Sequence, residues 1–168
     1  KEFNFYAGIK QMSFRTEMNR SYETSRIRNN SLELTGIYSD MLIQTQAQKN
    51  WNWTRNYSMK YDLTKNFKTD FTASNIALVG EPRGVINKND VDWYESYKDS
   101  VWNNIQNFGE TTTYNHNVGV TYKLPLDKFP LTNWLSVNAK YGGTFNWQRA
   151  PLGQSQFGNT IQNNRSIN

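Results

Sequence analysis

The sequence predicts an all-β chain that forms part of a large antiparallel transmembrane β-barrel, with one amphipathic helix in a long extramembrane loop. Three observations lead to this fold class. Apolar and polar residues alternate over runs of more than ten positions, so successive side chains point to opposite faces of long strands. The mean hydropathy is −0.84 although 15% of the residues are aromatic, because every second residue of a barrel wall faces water. No run of about 18 apolar residues is present, which excludes a transmembrane helix.

Charge and cysteine content exclude several other classes. The net charge is +5, but the 19 basic residues are scattered among 14 acidic ones, so we expect no nucleic-acid partner. Without cysteine the chain has neither a disulfide scaffold nor a thiolate metal site. It opens within an alternating pattern and carries no secretory signal, which predicts that a preceding segment has been removed.

The first predicted strand covers residues 3–20 and changes phase once. Phe5 and Ile9 share one parity, whereas Phe14 and Met18 take the other. A β-bulge produces such a slip of one residue. The segment after it, residues 21–50, is predicted to be loop up to residue 31 and then a long excursion with weak alternation.

The clearest pattern is a hairpin with strands at residues 51–63 and 67–78. Apolar side chains hold the odd positions of its first strand and are interrupted only by Arg55. A three-residue connection, 64–66, pairs Leu63 with Phe67.

Four charges on the polar face of this hairpin support that register. In it, each carboxylate lies directly opposite a lysine, and each such pair stabilises the register by about 0.2–1 kcal/mol. Charges of this kind belong on a wet wall rather than in a core. The predicted lumen-facing ladder consists of Asp62 opposite Lys68 and Lys60 opposite Asp70.

A change of period predicts a helix over residues 90–108. Apolar residues recur there every three or four positions from Trp93 onward, which gives one stripe. Asn89 or Asp90 is placed to cap its start, and Gly109 to end it. Together with the Gly- and Pro-containing loop before it, the helix is predicted to pack on neighbouring loops outside the membrane.

Two more strands are predicted at residues 112–124 and 133–149, around a turn at 125–132. The remainder, from residue 150, is rich in Gly, Gln and Asn and is predicted to be loop. Five strands cannot close a transmembrane barrel, because the smallest standard barrel has about eight. We therefore expect residues 1–168 to be one segment of a larger wall.

Bulky aromatic residues are concentrated at the strand ends, and smaller residues fill the middles. Thirteen residues tilted by about 40° span roughly 33 Å, enough for an apolar band of about 25 Å. Short turns are expected on the periplasmic side and long loops outside, so this distribution predicts two interfacial girdles. The predicted lipid-facing girdle residues are Trp51, Trp53, Phe145 and Trp147 at the outer ends, and Tyr61, Phe67, Tyr122 and Trp134 at the inner ends.

No pattern in the sequence predicts catalysis, a cofactor or a metal site. His116 is the one histidine and lies on the apolar parity, where a lone imidazole without cysteines or carboxylates cannot build a zinc site. The charged ladder is interpreted as structural rather than as an acid–base pair. We expect a protein that is not an enzyme and needs no cofactor.

The order of motifs resembles one known family. The stretches "WNWTRNYSMKYDLTKNFKTDFTASN", "GEPRGVIN", "DSVWNNIQNFGETTTYNHNVGVTYKLPLDKFPLTNWLSVNAKYGGTFNWQRAP" and "GNTIQN" follow one another over about residues 51–163. They resemble the SprA/Sov family, the outer-membrane translocons of the type IX secretion system. Gly80 departs from the family pattern, in which an Asp precedes Glu-Pro.

The resemblance implies a very large barrel in the cell outer membrane that conducts folded cargo proteins through a lateral opening. It also implies a PorV-like shuttle, a plug protein and secreted cargo as partners, with adhesins among the cargo in gliding species. Outer-membrane lipid and the rest of the barrel complete the expected contacts. Two alternatives stay open: a soluble or surface-exposed β-rich adhesin or glycan-binding module, and another outer-membrane barrel such as a nutrient receptor or assembly pore.

Overall fold

The computed structural model describes residues 8–26, 45–126, 130–132, 134–151 and 153–168. This part of the chain is mostly β: it forms one six-stranded antiparallel sheet, in chain order, and one α-helix. A 3₁₀ turn, Ser155–Phe157, precedes the last strand. The elements are β1 (Gln11–Ser25), β2 (Gln46–Asp62), β3 (Phe67–Leu78), α1 (Val91–Gln106), β4 (Glu110–Leu124), β5 (Val137–Gln148) and β6 (Thr160–Ile167).

All five predicted strands are present, with some displaced ends. β3 has the predicted bounds, β2 begins at Gln46 rather than residue 51, and β5 begins only at Val137. Two loop predictions are wrong, because residues 21–25 continue β1 and residues 160–167 form β6. Both segments alternate poorly and are strands because they lie beside a paired neighbour. The predicted strand residues 3–7 and the excursion at 27–44 lie outside the described residues.

The predicted phase slip is found at the start of β1. The backbone N–H of Lys10 donates to the carbonyl oxygen of Lys60 at 3.0 Å, which pairs an even residue with an even one. Four residues later, the Phe14 ring lies 5.1 Å from the ring of Tyr57, an odd residue. Even residues of β1 therefore share a face with odd residues of β2 from this point on.

The turn between β2 and β3 is tighter than predicted. Thr64 and Phe67 exchange both backbone hydrogen bonds at 3.3 Å, so the loop is Lys65 and Asn66, and the predicted pairing of Leu63 with Phe67 is wrong. The Thr64 hydroxyl oxygen closes the turn by accepting from the Phe67 N–H at 2.9 Å. Leu63 becomes the extra residue on its strand.

Helix α1 begins where the sequence predicts and ends two residues early. The Asp90 carboxylate accepts from the Trp93 N–H at 3.1 Å, which satisfies one free donor of the first turn. After Gln106, Phe108 and Gly109 both adopt left-handed backbone conformations, with φ of 60° and 67°. The Gly109 N–H then returns to the Asn104 carbonyl at 2.8 Å.

The described residues divide into two compact units. The first contains residues up to 17, residues 54–77 and residues from 111 onward; the second contains residues 18–53 and 78–110. Few apolar side chains are buried in either: among the described residues these are Ala73 and Ala77 in the first unit and Val79 and Tyr97 in the second. Most apolar side chains of the sheet therefore keep an accessible surface.

Candidate functional site

The β4–β5 register separates two chemically different faces of the first unit. Tyr114 lies opposite Trp147 and His116 opposite Phe145, so these four side chains share one face. The intervening residues form the other face, where the opposed pairs are Asn115 with Asn146 and Asn117 with Thr144. We call these the aromatic face and the amide face.

Ring contacts run along the aromatic face at several levels. His116 stacks on Phe145 with the ring centroids 5.2 Å apart, and Phe71 and Tyr114 lie within 6.0 Å of the same imidazole. The His116 Nδ1 atom is buried without a hydrogen-bond partner in the described structure, so this histidine contacts mainly rings. No group of three or more metal-ligating residues occurs within the described ranges.

The predicted inner girdle is partly brought together. The rings of Phe67 and Tyr122 lie 6.0 Å apart across β3 and β4, and Tyr122 is paired with Ala139 of β5. Tyr61 is half-buried on β2, whereas the Trp134 side chain is 80% exposed before β5 begins. Val137 is the first residue of β5, so the middle of the face lies nearer Val118 and Val120.

The amide face contains a shallow open pocket of about 520 Å³. Its polar lining consists of short uncharged side chains that offer amide and hydroxyl groups to water. Tyr57, Ala73 and His116 complete the wall. The polar lining residues are Asn56, Thr72, Ser74, Asn115, Asn117, Thr144 and Asn146.

The residues of the predicted charged ladder lie on this face towards the short turn, but within the described residues no ion pair joins Asp62 to Lys68 or Lys60 to Asp70. The Asp62 carboxylate instead accepts from Lys10 Nζ at 2.9 Å, a partner just before β1 that the hairpin pattern alone did not indicate. Asp70 lies against the glycine opposite it: a Cβ placed on Gly119 would be 2.8 Å from the Asp70 Cγ. A side chain at position 119 would therefore require the Asp70 carboxylate to move.

Arg55 is a buried charged residue on the odd-numbered, aromatic face of β2. The residue is 7% exposed, and its Nη2 donates to the Asn75 side-chain oxygen at 2.8 Å. The Asn75 amide nitrogen in turn donates to the Thr111 hydroxyl at 3.3 Å. This polar row interrupts the aromatic face near the end at which the predicted outer girdle begins.

A second polar cluster lies entirely within the second unit. Arg20 of β1 holds Glu81 with two hydrogen bonds, Nε to Oε1 at 2.6 Å and Nη2 to Oε2 at 2.9 Å. The Tyr97 hydroxyl donates to the same carboxylate at 2.5 Å, and Lys49 Nζ donates to the carbonyl of Pro82 at 2.8 Å. We call Arg20, Lys49, Glu81 and Tyr97 the Glu81 network. It attaches the loop and helix α1 to β1 and β2.

Ionisation in this network follows from its burial. The Glu81 side chain is only 2% exposed. Desolvation alone would raise the pKa of Glu81, but the hydrogen bonds from Arg20 and Tyr97, with the charges of Arg20 and Lys49, outweigh it and hold the pKa below its usual value. Desolvation, followed by the bond to Glu81, raises the pKa of Tyr97 to about 12. The carboxylate stays charged and the phenol neutral at ordinary pH.

The predicted outer girdle divides between the two units. Phe145 and Trp147 lie on the aromatic face of the first unit, as described above. Trp51 and Trp53 belong to the second unit, where the Arg20 guanidinium lies 5.2 Å above the Trp51 ring and Phe108 stacks on Trp53 at 5.8 Å. Both tryptophans are half-buried against protein. The sequence did not indicate this cover, because Arg20 and Phe108 are distant from them along the chain.

Searches of protein-family models and of curated proteins find no match to this chain. Within the described residues, no helix is long and apolar enough to cross a membrane.

Proposed function

We propose that this chain is a segment of the wall of an outer-membrane channel that conducts folded proteins, as the resemblance to the SprA/Sov family implies. In this proposal the aromatic face of the first unit contacts lipid and the amide face lines the aqueous lumen. The wall has no catalytic role and needs no cofactor. Its partners are lipid, the remaining barrel strands, a PorV-like shuttle, a plug protein and the cargo.

The observation that carries the proposal is the contrast between two faces of one sheet. On one face, rings and aliphatic side chains stay accessible over several strands, although soluble proteins rarely leave large contiguous apolar areas uncovered. On the other, amides and hydroxyls line an open pocket without an exposed aromatic ladder. A lipid-facing and a water-facing surface, alternating along each strand, would have this chemistry.

The amide face suits a conduit because it offers hydrated contacts and few apolar ones. Asn, Thr and Ser groups exchange hydrogen bonds with water as readily as with a passing chain, and Asp62 is already paired with Lys10. Cargo would meet no apolar patch of the size that holds a protein in place. Release rather than retention is the property that a secretion channel requires.

A matched pair of arginine substitutions tests the membrane assignment. Val118 is near the middle of β4 on the aromatic face, and its neighbour Asn117 is on the amide face. An arginine at Val118 should destabilise the inserted protein by about 2–4 kcal/mol, whereas one at Asn117 should be tolerated. Barrel levels in the outer membrane and heat-modifiable gel migration report the outcome. Equal insertion of Val118→Arg and Asn117→Arg would contradict a lipid-facing aromatic surface.

The amide-face pocket also favours a second candidate, a glycan-binding module. Asparagine amides and threonine and serine hydroxyls line it together, a combination that suits hydrogen bonding to the hydroxyl groups of a sugar. If this candidate is correct, Asn115→Ala and Thr144→Ala should abolish glycan retention, and neither change should make protein secretion defective. A protein that stays soluble without detergent and binds glycans would favour it over the channel.

A further inference from the structure

Charged side chains lie against aromatic rings towards the end of β1 and the start of β2. The Arg20 guanidinium lies on the Trp51 ring, and Lys49 Nζ lies 5.0 Å from the centre of the Tyr97 ring. Trp51 and Trp53 are therefore half-buried against the chain's own side chains.

The loop before helix α1 and the helix itself are held in place by groups that require a polar environment. Glu81 keeps its negative charge between Arg20 and Tyr97, and the helix places Asp92, Glu95 and Lys98 on its surface. Charged side chains at bilayer depth are rare and costly. A segment with this density of charge belongs outside the hydrocarbon region.

The exposed ring contacts and the half-buried ring contacts lie close together along β1 and β2. Phe14 lies against Tyr57 in the first unit, and both side chains keep an exposed surface. Four residues further along β1, and four residues back along β2, Met18 and Trp53 belong to the second unit. Arg55 lies between Trp53 and Tyr57 on β2, and its buried side chain donates a hydrogen bond to Asn75.

We propose that lipid contact ends between Phe14 and Met18 on β1 and between Trp53 and Tyr57 on β2. This inference rests on the proposed membrane wall and specifies where its acyl contact stops. In this proposal Trp51 and Trp53, which contact Arg20 and Phe108, lie beyond the end of acyl contact and are packing residues rather than girdle residues. The outer girdle consists instead of aromatic-face residues of the first unit, Tyr114, Phe145 and Trp147.

Single spin labels measure this boundary directly, because the chain contains no cysteine. Phe14→Cys and Met18→Cys form a matched pair on the same face of the same strand, and both positions are accessible, at 55% and 44% exposure. Each variant of the intact protein is labelled, reconstituted into lipid vesicles and measured for collisions with oxygen, which partitions into lipid, and with a water-soluble nickel chelate. Trp102→Cys, on the exposed side of α1, provides the water reference.

We expect the label at position 14 to collide mainly with oxygen and the label at position 18 to give an oxygen-to-nickel ratio close to that of position 102. Oxygen-dominated collisions at both 14 and 18 would overturn the boundary while leaving the membrane wall intact. Nickel-dominated collisions at both positions would remove lipid from this face altogether and overturn the proposed function as well. Met12→Cys, 71% exposed and nearer the start of β1, repeats the lipid-side measurement if the Phe14 variant does not fold.

Discussion

Replacing Glu81 by glutamine should free helix α1 and its loop from β1 and β2 within the second unit. The carboxylate accepts two hydrogen bonds from Arg20 and one from Tyr97. Glutamine keeps one acceptor oxygen, but its amide nitrogen is a donor and faces another donor. The substitution therefore removes the ionic component and leaves part of the buried network unsatisfied.

The magnitude follows from the burial of the two partners. Hydrogen bonds to a charged group each contribute about 1.5–3 kcal/mol, and breaking a fully buried ion pair costs about 3–5 kcal/mol. Glu81 is buried, but the Arg20 side chain is 39% exposed, so solvent screens part of this interaction. We expect the Glu81→Gln change to lower the free energy of local opening by about 2 kcal/mol, which corresponds to roughly a 30-fold change in the opening equilibrium.

Amide hydrogen exchange across Val91–Gln106 measures this opening, because the helix exchanges through detachment of its segment. Glu95→Gln is a matched control: it makes the same chemical change within the helix itself, but Glu95 pairs with Lys98 at the surface. That variant should change protection by about twofold or less. Equal loss of protection in the two variants would refute the assignment of Glu81 as the residue that attaches the helix.

Three further predictions concern pH, the lumen and backbone packing. The pKa of Glu81 in the folded protein is below its ordinary value of 4.5, so the stabilisation that this carboxylate provides is present above that pH and is lost as pH falls through the folded pKa. Hydrogen-exchange protection of the helix should therefore show an acid step, and the Glu81→Gln variant should lack it. Thr72→Trp places a ring in the amide-face pocket and should cause cargo to accumulate in the periplasm, whereas Trp51→Phe should secrete nearly normally at equal barrel levels. Gly119→Ala should lower stability by only about 0.5 kcal/mol, because the exposed Asp70 carboxylate can turn away from the added methyl group; loss of the heat-modifiable gel shift in this variant would contradict that expectation.

The sequence by itself determined the elements whose pattern is complete within the element. β3 alternates over most of its length and is found at the predicted bounds, and α1 has both its period and its capping aspartate within a few residues. The two faces of the sheet were also predicted, because alternation assigns every side chain of a strand to one face or the other. These features depend on neighbours two to four positions away, which any reader of the sequence can see.

Only the tertiary structure decided the features that depend on distant partners. β6 has apolar residues only near its two ends, at Ile161 and Ile167, and it is a strand because its backbone groups pair with β5. Arg20 and Glu81 are 61 residues apart, so no local period connects them. The contacts of Arg20 with Trp51 and of Phe108 with Trp53 likewise join residues that are distant in the sequence. Periodicity determines the direction in which a side chain points, whereas the path of the whole chain determines what that side chain meets.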